Sequence, residues 1–283
     1  MVEGANLVGE AHRAGAGIET VFIDSSAARL AERELAEACE AGGASVVEVR
    51  PEVLKRALET VTPQPVAATV RRVDVPLTES RPTESRPTTS PTPATSPSPA
   101  SPDRSSLVVV LAGVSDPGNA GTLIRAAAAA GADIVVMCKP SVDLYNPKTV
   151  RATAGAIFHL PIAIDAELDQ TLDMLGRWGA KRWGTAATGG FDYTEADLTG
   201  PTALVLGNEA HGIPEGASLA LDGLLTIPME GPTESLNVAV AGSVLCFEAA
   251  RQQRQARRGA SDSGDTAGDV QPAAPTRGAK GAA

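Results

Sequence analysis

The chain has 283 residues, 43% hydrophobic and 3% aromatic, with a formal net charge of −10. That composition allows a core of Ala, Val, Leu and Ile in one large domain or two ordinary ones. It excludes a generally adhesive nucleic-acid binder. No run of 18 apolar residues marks a membrane span, and the start reads as no secretory signal, so a cytoplasmic protein is expected. In chain order, a helix is predicted over Asn6–Ala14, a strand over Glu19–Ile23 and a helix over Ala27–Ala41. A strand over Ser45–Val49 and a helix over Glu52–Thr60 complete a small α/β domain, residues 1–75. Its size is marginal for independent stability.

Residues 76–102 hold 8 Pro, 6 Ser and 6 Thr, including the repeat Thr78-Glu79-Ser80-Arg81-Pro82 and Thr83-Glu84-Ser85-Arg86-Pro87. Such a segment cannot bury apolar area, and a disordered linker over 76–106 is expected. Beyond it the alternation strengthens. Strands are predicted over Leu107–Leu111, Ile134–Cys138, Leu160–Ile164, Arg182–Ala186, Ala203–Leu206 and Leu224–Ile227. Helices are predicted over Gly121–Ala130, Pro147–Ala154, Leu168–Gly179 and Ser235–Arg251. Apolar strands alternating with helices imply a parallel sheet covered on both faces, with ligands at the carboxyl ends of its strands. Residues 107–256 form this domain, and residues 257–283 read as a disordered tail.

Residues 107–250 carry 7 basic and 16 acidic side chains, whereas residues 251–283 carry 6 and 3. Any nucleic-acid contact is therefore local, through a few arginines in a site or tail. Cys39, Cys138 and Cys246 lack metal or redox spacing and read as buried free thiols.

Three loops stand out, each at the carboxyl end of a predicted strand. The first, Asp116-Pro117-Gly118-Asn119-Ala120-Gly121, opens a helix that carries Arg125 one to two turns in. It can be a capped turn, with Asn119 or Gly118 as the cap and Arg125 solvated, or part of a site. It is neither a dinucleotide fingerprint nor a phosphate-cradling Walker loop. In the second, a strand runs into Gly207-Asn208-Glu209-Ala210-His211-Gly212. Gly207 permits a sharp turn or close backbone approach, and Glu209 can accept several backbone N–H bonds. The third, Ile227-Pro228-Met229-Glu230-Gly231-Pro232-Thr233-Glu234-Ser235-Leu236-Asn237-Val238, ends in two small polar residues at a helix start. Ser235 reads as an N-cap, and both residues can also hold a ligand.

Asn119-x-Gly121-x-x-x-Arg125, Leu206-Gly207-Asn208-Glu209-x-x-Gly212, and Ile227-Pro228-Met229 with Ser235-Leu236-Asn237-Val238 together resemble the three motifs of SpoU-type RNA 2′-O-ribose methyltransferases of the SPOUT superfamily. The resemblance covers residues 107–251. The N-terminal piece, beginning Glu3-Gly4-x-Asn6-Leu7-Val8, is similar to the small α/β RNA-substrate-binding domain of many members. Members usually carry a basic helix and strand before that segment, so a shortened domain or a start further upstream is expected.

The resemblance implies an α/β fold with a parallel sheet and a deep trefoil knot, where chain-threading rules alone favour no knot. It implies S-adenosyl-L-methionine as cofactor, bound by backbone groups of Gly207, Ile227 and Leu236. Glu209 would brace the loops, and Asn119, Arg125, Ser235 and Asn237 would line the ribose side. The implied substrate is ribosomal RNA ahead of transfer RNA, the implied assembly a homodimer, and no metal is implied. A non-catalytic RNA-binding protein on the same scaffold is the alternative of another class.

Overall fold

The structure, a computed structural model, describes residues 1–58, 62–77 and 106–264, the last five by backbone alone. The predicted linker lies outside the described residues except for 76, 77 and 106, and so does the tail beyond 264.

The N-terminal unit comprises β1 (Val2–Glu3), α1 (Ala5–Arg13), β2 (Ile18–Ile23), α2 (Leu30–Ala41), β3 (Ser45–Glu48), α3 (Pro51–Ala57) and β4 (Val66–Val70). Its sheet runs β1-β4-β2-β3, with β2 and β3 parallel and β4 antiparallel to both its neighbours. The apolar face of α1, Leu7, Val8 and Ala11, is buried, as its helical spacing requires. β1 and β4 were not predicted. β1 has only two residues, and β4 follows Pro63 and Pro65, which read as loop punctuation.

The second unit comprises β5 (Leu107–Ala112), α4 (Pro117–Ala130), β6 (Ile134–Cys138), α5 (Pro147–Ala152), a 3₁₀ turn (Ala156–Phe158), β7 (Ile162–Ala166), α6 (Leu168–Arg177), β8 (Lys181–Thr185), β9 (Phe191–Asp192), β10 (Thr202–Gly207), α7 (Glu215–Ser218), β11 (Gly223–Thr226) and α8 (Val238–Gly264). Its seven strands, ordered β7-β6-β5-β10-β8-β11-β9, are parallel throughout. Period-two alternation divides β5 between two cores. Leu107, Val109 and Leu111 join one with Leu123 and Ile124 of α4 and Leu245 of α8. Val108, Val110 and Ala112 join the other with Leu172 and Leu175 of α6. The last helix starts at Val238 rather than Ser235 and continues to Gly264, into the segment predicted as tail.

One contact sets the pitch of α4. A Cβ on Gly121 would lie 2.4 Å from Ala152 Cβ and 2.7 Å from the Thr149 carbonyl oxygen. Only glycine lets α4 and α5 approach so closely, and this seats the helix that carries Asn119 and Arg125.

The two units are stitched together. Leaving β4, residues 72–77 run onto the second unit, and the Val75 N–H donates to the Ile162 carbonyl at 2.9 Å. Val75 and Leu77 pack against the second core. Among the described residues, no helix is long and apolar enough to cross a membrane.

Candidate active site

β10 ends at Gly207 in the middle of the sheet, beside β5 and β8. A Cβ there would stand 2.3 Å from the Gly212 carbonyl carbon and 2.5 Å from the Ile213 nitrogen. The loop therefore folds directly over the strand end. Asn208 closes it: its backbone N–H donates to the Gly212 carbonyl and its backbone carbonyl accepts from Gly212 N–H, both at 2.9 Å. The Asn208 side-chain oxygen accepts from the N–H groups of Ala210 (2.9 Å) and His211 (3.1 Å), and its amide donates to the Gly113 carbonyl at 2.8 Å.

Glu209 leaves this loop and anchors the first one. It accepts from Ser115 N–H (3.2 Å), Ser115 Oγ (2.9 Å), Asp116 N–H (3.1 Å) and Asn119 Nδ2 (3.0 Å). Asn119 Oδ1 in turn accepts from Asn237 Nδ2 at 3.0 Å. One hydrogen-bonded chain, Glu209–Asn119–Asn237, thus joins all three loops. Burial acts to raise the Glu209 carboxyl, but the bonds from Asn119 and the neighbouring backbone outweigh it and hold the group at about 2, against an ordinary 4.5.

The sign of the pH dependence follows. A folded pKa below the unfolded one gives stability that is whole above pH 4.5 and is lost as pH falls towards about 2. We expect the wild-type melting temperature to show a component across that window that Glu209→Gln lacks. Superimposable melting profiles of the two proteins would refute the anchoring role.

The caps differ from those predicted. Asp116, not Asn119 or Gly118, caps α4 by accepting from Asn119 N–H at 2.8 Å, with Pro117 in the first turn. Asn237, not Ser235, caps α8, its Oδ1 accepting from Ala239 N–H (2.8 Å) and Val240 N–H (3.3 Å). In each case the sequence offered several short polar residues at the boundary, and the choice depends on where the backbone enters the helix.

The loops enclose a cleft of about 500 Å³ at the carboxyl ends of β8, β10 and β11. Gly207, Glu209, Ile227, Ser235, Leu236 and Asn237 all line it. Asn119 reaches it through Asn237. Arg125 does not line it: it stands exposed on α4, and no hydrogen bond or ion pair holds it among the described residues. Thr185, Ala186, Ala187 and Met229 also line the cleft and were not predicted as site residues. The strand end at Arg182–Ala186 was the available signal for the first three, but small residues there carry no chemical mark.

The three cysteines are free and buried. Burial pushes Cys246 up to about 12 and Cys138 up to about 11, so neither offers a thiolate at neutral pH. Among the described residues, no three His, Cys, Asp or Glu side chains gather as a metal-binding group.

A parallel sheet with this cleft, and with these three loops tied across it, defines a methyltransferase-type fold that known proteins share. Residues 106–247 match the SpoU rRNA Methylase family, and residues 1–76 match the RNA 2′-O ribose methyltransferase substrate binding family. The chain belongs to the SpoU rRNA methylase family. It is similar to the 23S rRNA (guanosine(2553)-2′-O)-methyltransferase RlmP of Bacillus subtilis (strain 168), with 40% identity over 140 residues, 50% of this chain and 56% of that protein. The chain therefore spans little more than half the length of that curated relative. Among solved structures it resembles the AdoMet-bound rRNA methyltransferase from Sinorhizobium meliloti, with TM-score 0.72, 29% identity, and 88% of this chain and 86% of that one covered. It also resembles the SpoU methyltransferase AviRb from Streptomyces viridochromogenes in complex with AdoMet, with TM-score 0.71, 26% identity and 90% of each chain covered.

Proposed function

We propose that this chain transfers a methyl group from S-adenosyl-L-methionine to a ribose 2′-hydroxyl of ribosomal RNA. The observation that carries the reading is the Glu209–Asn119–Asn237 chain, which gathers three distant loops around one cleft. The relatives' names, 23S rRNA 2′-O-methyltransferase and AdoMet-bound rRNA methyltransferase, support it.

The cleft fits the cofactor. Its volume of about 500 Å³ is that of a small-molecule site, and Gly207, Ile227 and Leu236 line it together. Backbone groups of Gly207, Ile227 and Leu236 would hold it. When bound, S-adenosylmethionine supplies an electrophilic methyl group on a sulfonium. The chain's own residues do the remainder. Glu209 fixes the loops, so the geometry is prepaid before substrate arrives. Asn119, Ser235 and Asn237 line the ribose side. Arg125 is assigned to the RNA: a guanidinium offers donors and no acceptor, so it holds a phosphate and stabilises negative charge developing on the 2′-oxygen rather than taking its proton.

The same reading includes a knot, formed where the segment after β11 returns to meet Asn119 through Asn237. It includes RNA binding by the N-terminal unit. It also includes a homodimer through the outer face of α8, where Val240 and Phe247 stand exposed. Sedimentation velocity separates monomer from dimer directly. A ribosomal substrate implies action in the cytoplasm.

The test is a map of ribose methylation in ribosomal and transfer RNA from cells with and without the gene. Loss of one 2′-O-methyl mark in ribosomal RNA is expected. Loss confined to transfer RNA would move the substrate, and no lost mark would favour the non-catalytic alternative.

A further inference from the structure

We propose that Tyr145 is a positioning residue for RNA methylation: it bolts the N-terminal unit to the catalytic unit and so fixes which ribose can reach the cleft. The proposal rests on the RNA-methylation reading for its functional half and on geometry alone for the bolt.

Tyr145 belongs to the catalytic unit, yet its hydroxyl is spent entirely on the other one. It accepts from the N–H groups of Val73 (2.9 Å) and Asp74 (3.0 Å) and donates to the Asp74 carboxylate. A phenol has one proton to give and can accept two, so its capacity is used in full. The Arg72 guanidinium lies 4.7 Å above the same ring and pairs with Asp74 at 3.0 Å, adding a cation–π contact. Three consecutive strap residues thus converge on one side chain. The strap continues with the Val75–Ile162 backbone bond. Elsewhere between the units, Glu10 meets His159 at 2.7 Å and Glu3 meets Arg151 at 3.7 Å.

Tyr145 also has a path to the site. It directly precedes Asn146, whose side chain caps α5 by accepting from Lys148 N–H at 2.9 Å. α5 packs on α4 at the Gly121 contact, and α4 carries Asn119 and Arg125. The strap is fastened at Arg72–Val75, within the described residues. A unit held only by a long linker samples many placements, and its effective concentration falls with linker length. A bolted one presents its RNA-reading face at one fixed offset from the cleft.

The test uses Tyr145→Phe, Asp74→Ala and the double variant in the full chain. Three quantities are read: amide hydrogen exchange over residues 72–77, S-adenosylmethionine binding by calorimetry, and methyl transfer at varied ribosomal RNA concentration. Exchange at Val73 and Val75 is expected to rise roughly ten-fold as the hydrogen-bonded bolt is lost. Cofactor affinity should hold, and KM for RNA should rise about ten-fold with kcat within about two-fold of wild type. The double variant should cost less than the sum of the two single effects, because both remove the Tyr145–Asp74 side-chain bond. Unchanged exchange would overturn the bolt. Cofactor affinity falling in parallel would reduce Tyr145 to a fold residue, and a lowered kcat with unchanged KM would overturn the positioning role. A wild-type protein that methylates no RNA would remove the functional reading and the positioning role with it, while exchange still reports the bolt separately.

Discussion

Arg125→Ala is expected to lower methyl transfer by about 10²- to 10³-fold while leaving S-adenosylmethionine binding within about two-fold of wild type. The division follows from where the side chain stands. Arg125 is exposed on α4, outside the cleft between the three loops, and none of the hydrogen bonds that tie the loops runs through it. Its removal leaves the Glu209–Asn119–Asn237 chain whole, and alanine is the best helix former at an exposed helical position. What disappears is an exposed positive charge on α4, which the proposed function assigns to the RNA. Arg125→Lys keeps the charge but not the planar fork, so it should recover only part of the rate. Calorimetry and tritium-methyl transfer on the same preparation decide the matter. Equal loss in both would mean that Arg125 belongs to the cofactor site or the fold.

The second large effect is the reverse in kind. Gly207→Ala should weaken S-adenosylmethionine binding by roughly 10- to 100-fold, the equivalent of about 1–3 kcal/mol of overpacking. The added methyl would meet the carbonyl carbon of Gly212 at 2.3 Å and the nitrogen of Ile213 at 2.5 Å. Both are backbone atoms, so no side chain can swing aside. The whole 208–212 loop must lift, and with it Glu209, which holds the Ser115–Asn119 turn. Cofactor affinity and transfer rate should therefore fall together, in contrast to Arg125→Ala. An alanine variant with wild-type affinity and melting temperature would show that the loop gives way freely and that Gly207 is not a constraint.

The sheet of the second unit was legible because its strands are long, apolar and separated by helices. β5, β6 and β10 were found to within a residue or two for that reason. The N-terminal unit was less so. β4 lies behind Pro63 and Pro65, and the strap residue Leu77 belongs to a stretch whose Pro, Ser and Thr content hides a packed apolar side chain, with Val75 directly before it. At the site, local chemistry marked the right loops but not the right bonds. Ser235 and Asn237 are equally good caps on paper, and only the start of α8 at Val238 decides for Asn237. Nothing local says that Asn119 and Asn237 touch. Their pairing reflects the order in which strands enter the sheet, a property of the whole fold. Family resemblance brought them together before geometry did.

The Asn119–Asn237 bond spans 118 positions and the Glu209–Ser115 bond 94. Contacts so far apart along the chain pay their loop-closure entropy before they give anything back. During synthesis the β5–β6–β7 half of the sheet emerges long before residue 237 does. A nascent or stalled chain can thus own most of its strands and still have no cleft, because the last wall arrives with the start of the final helix. On the proposed function, competence to bind S-adenosylmethionine is then a late event in the life of each molecule, and a cofactor that binds only the finished fold would hold the final closure in place by mass action.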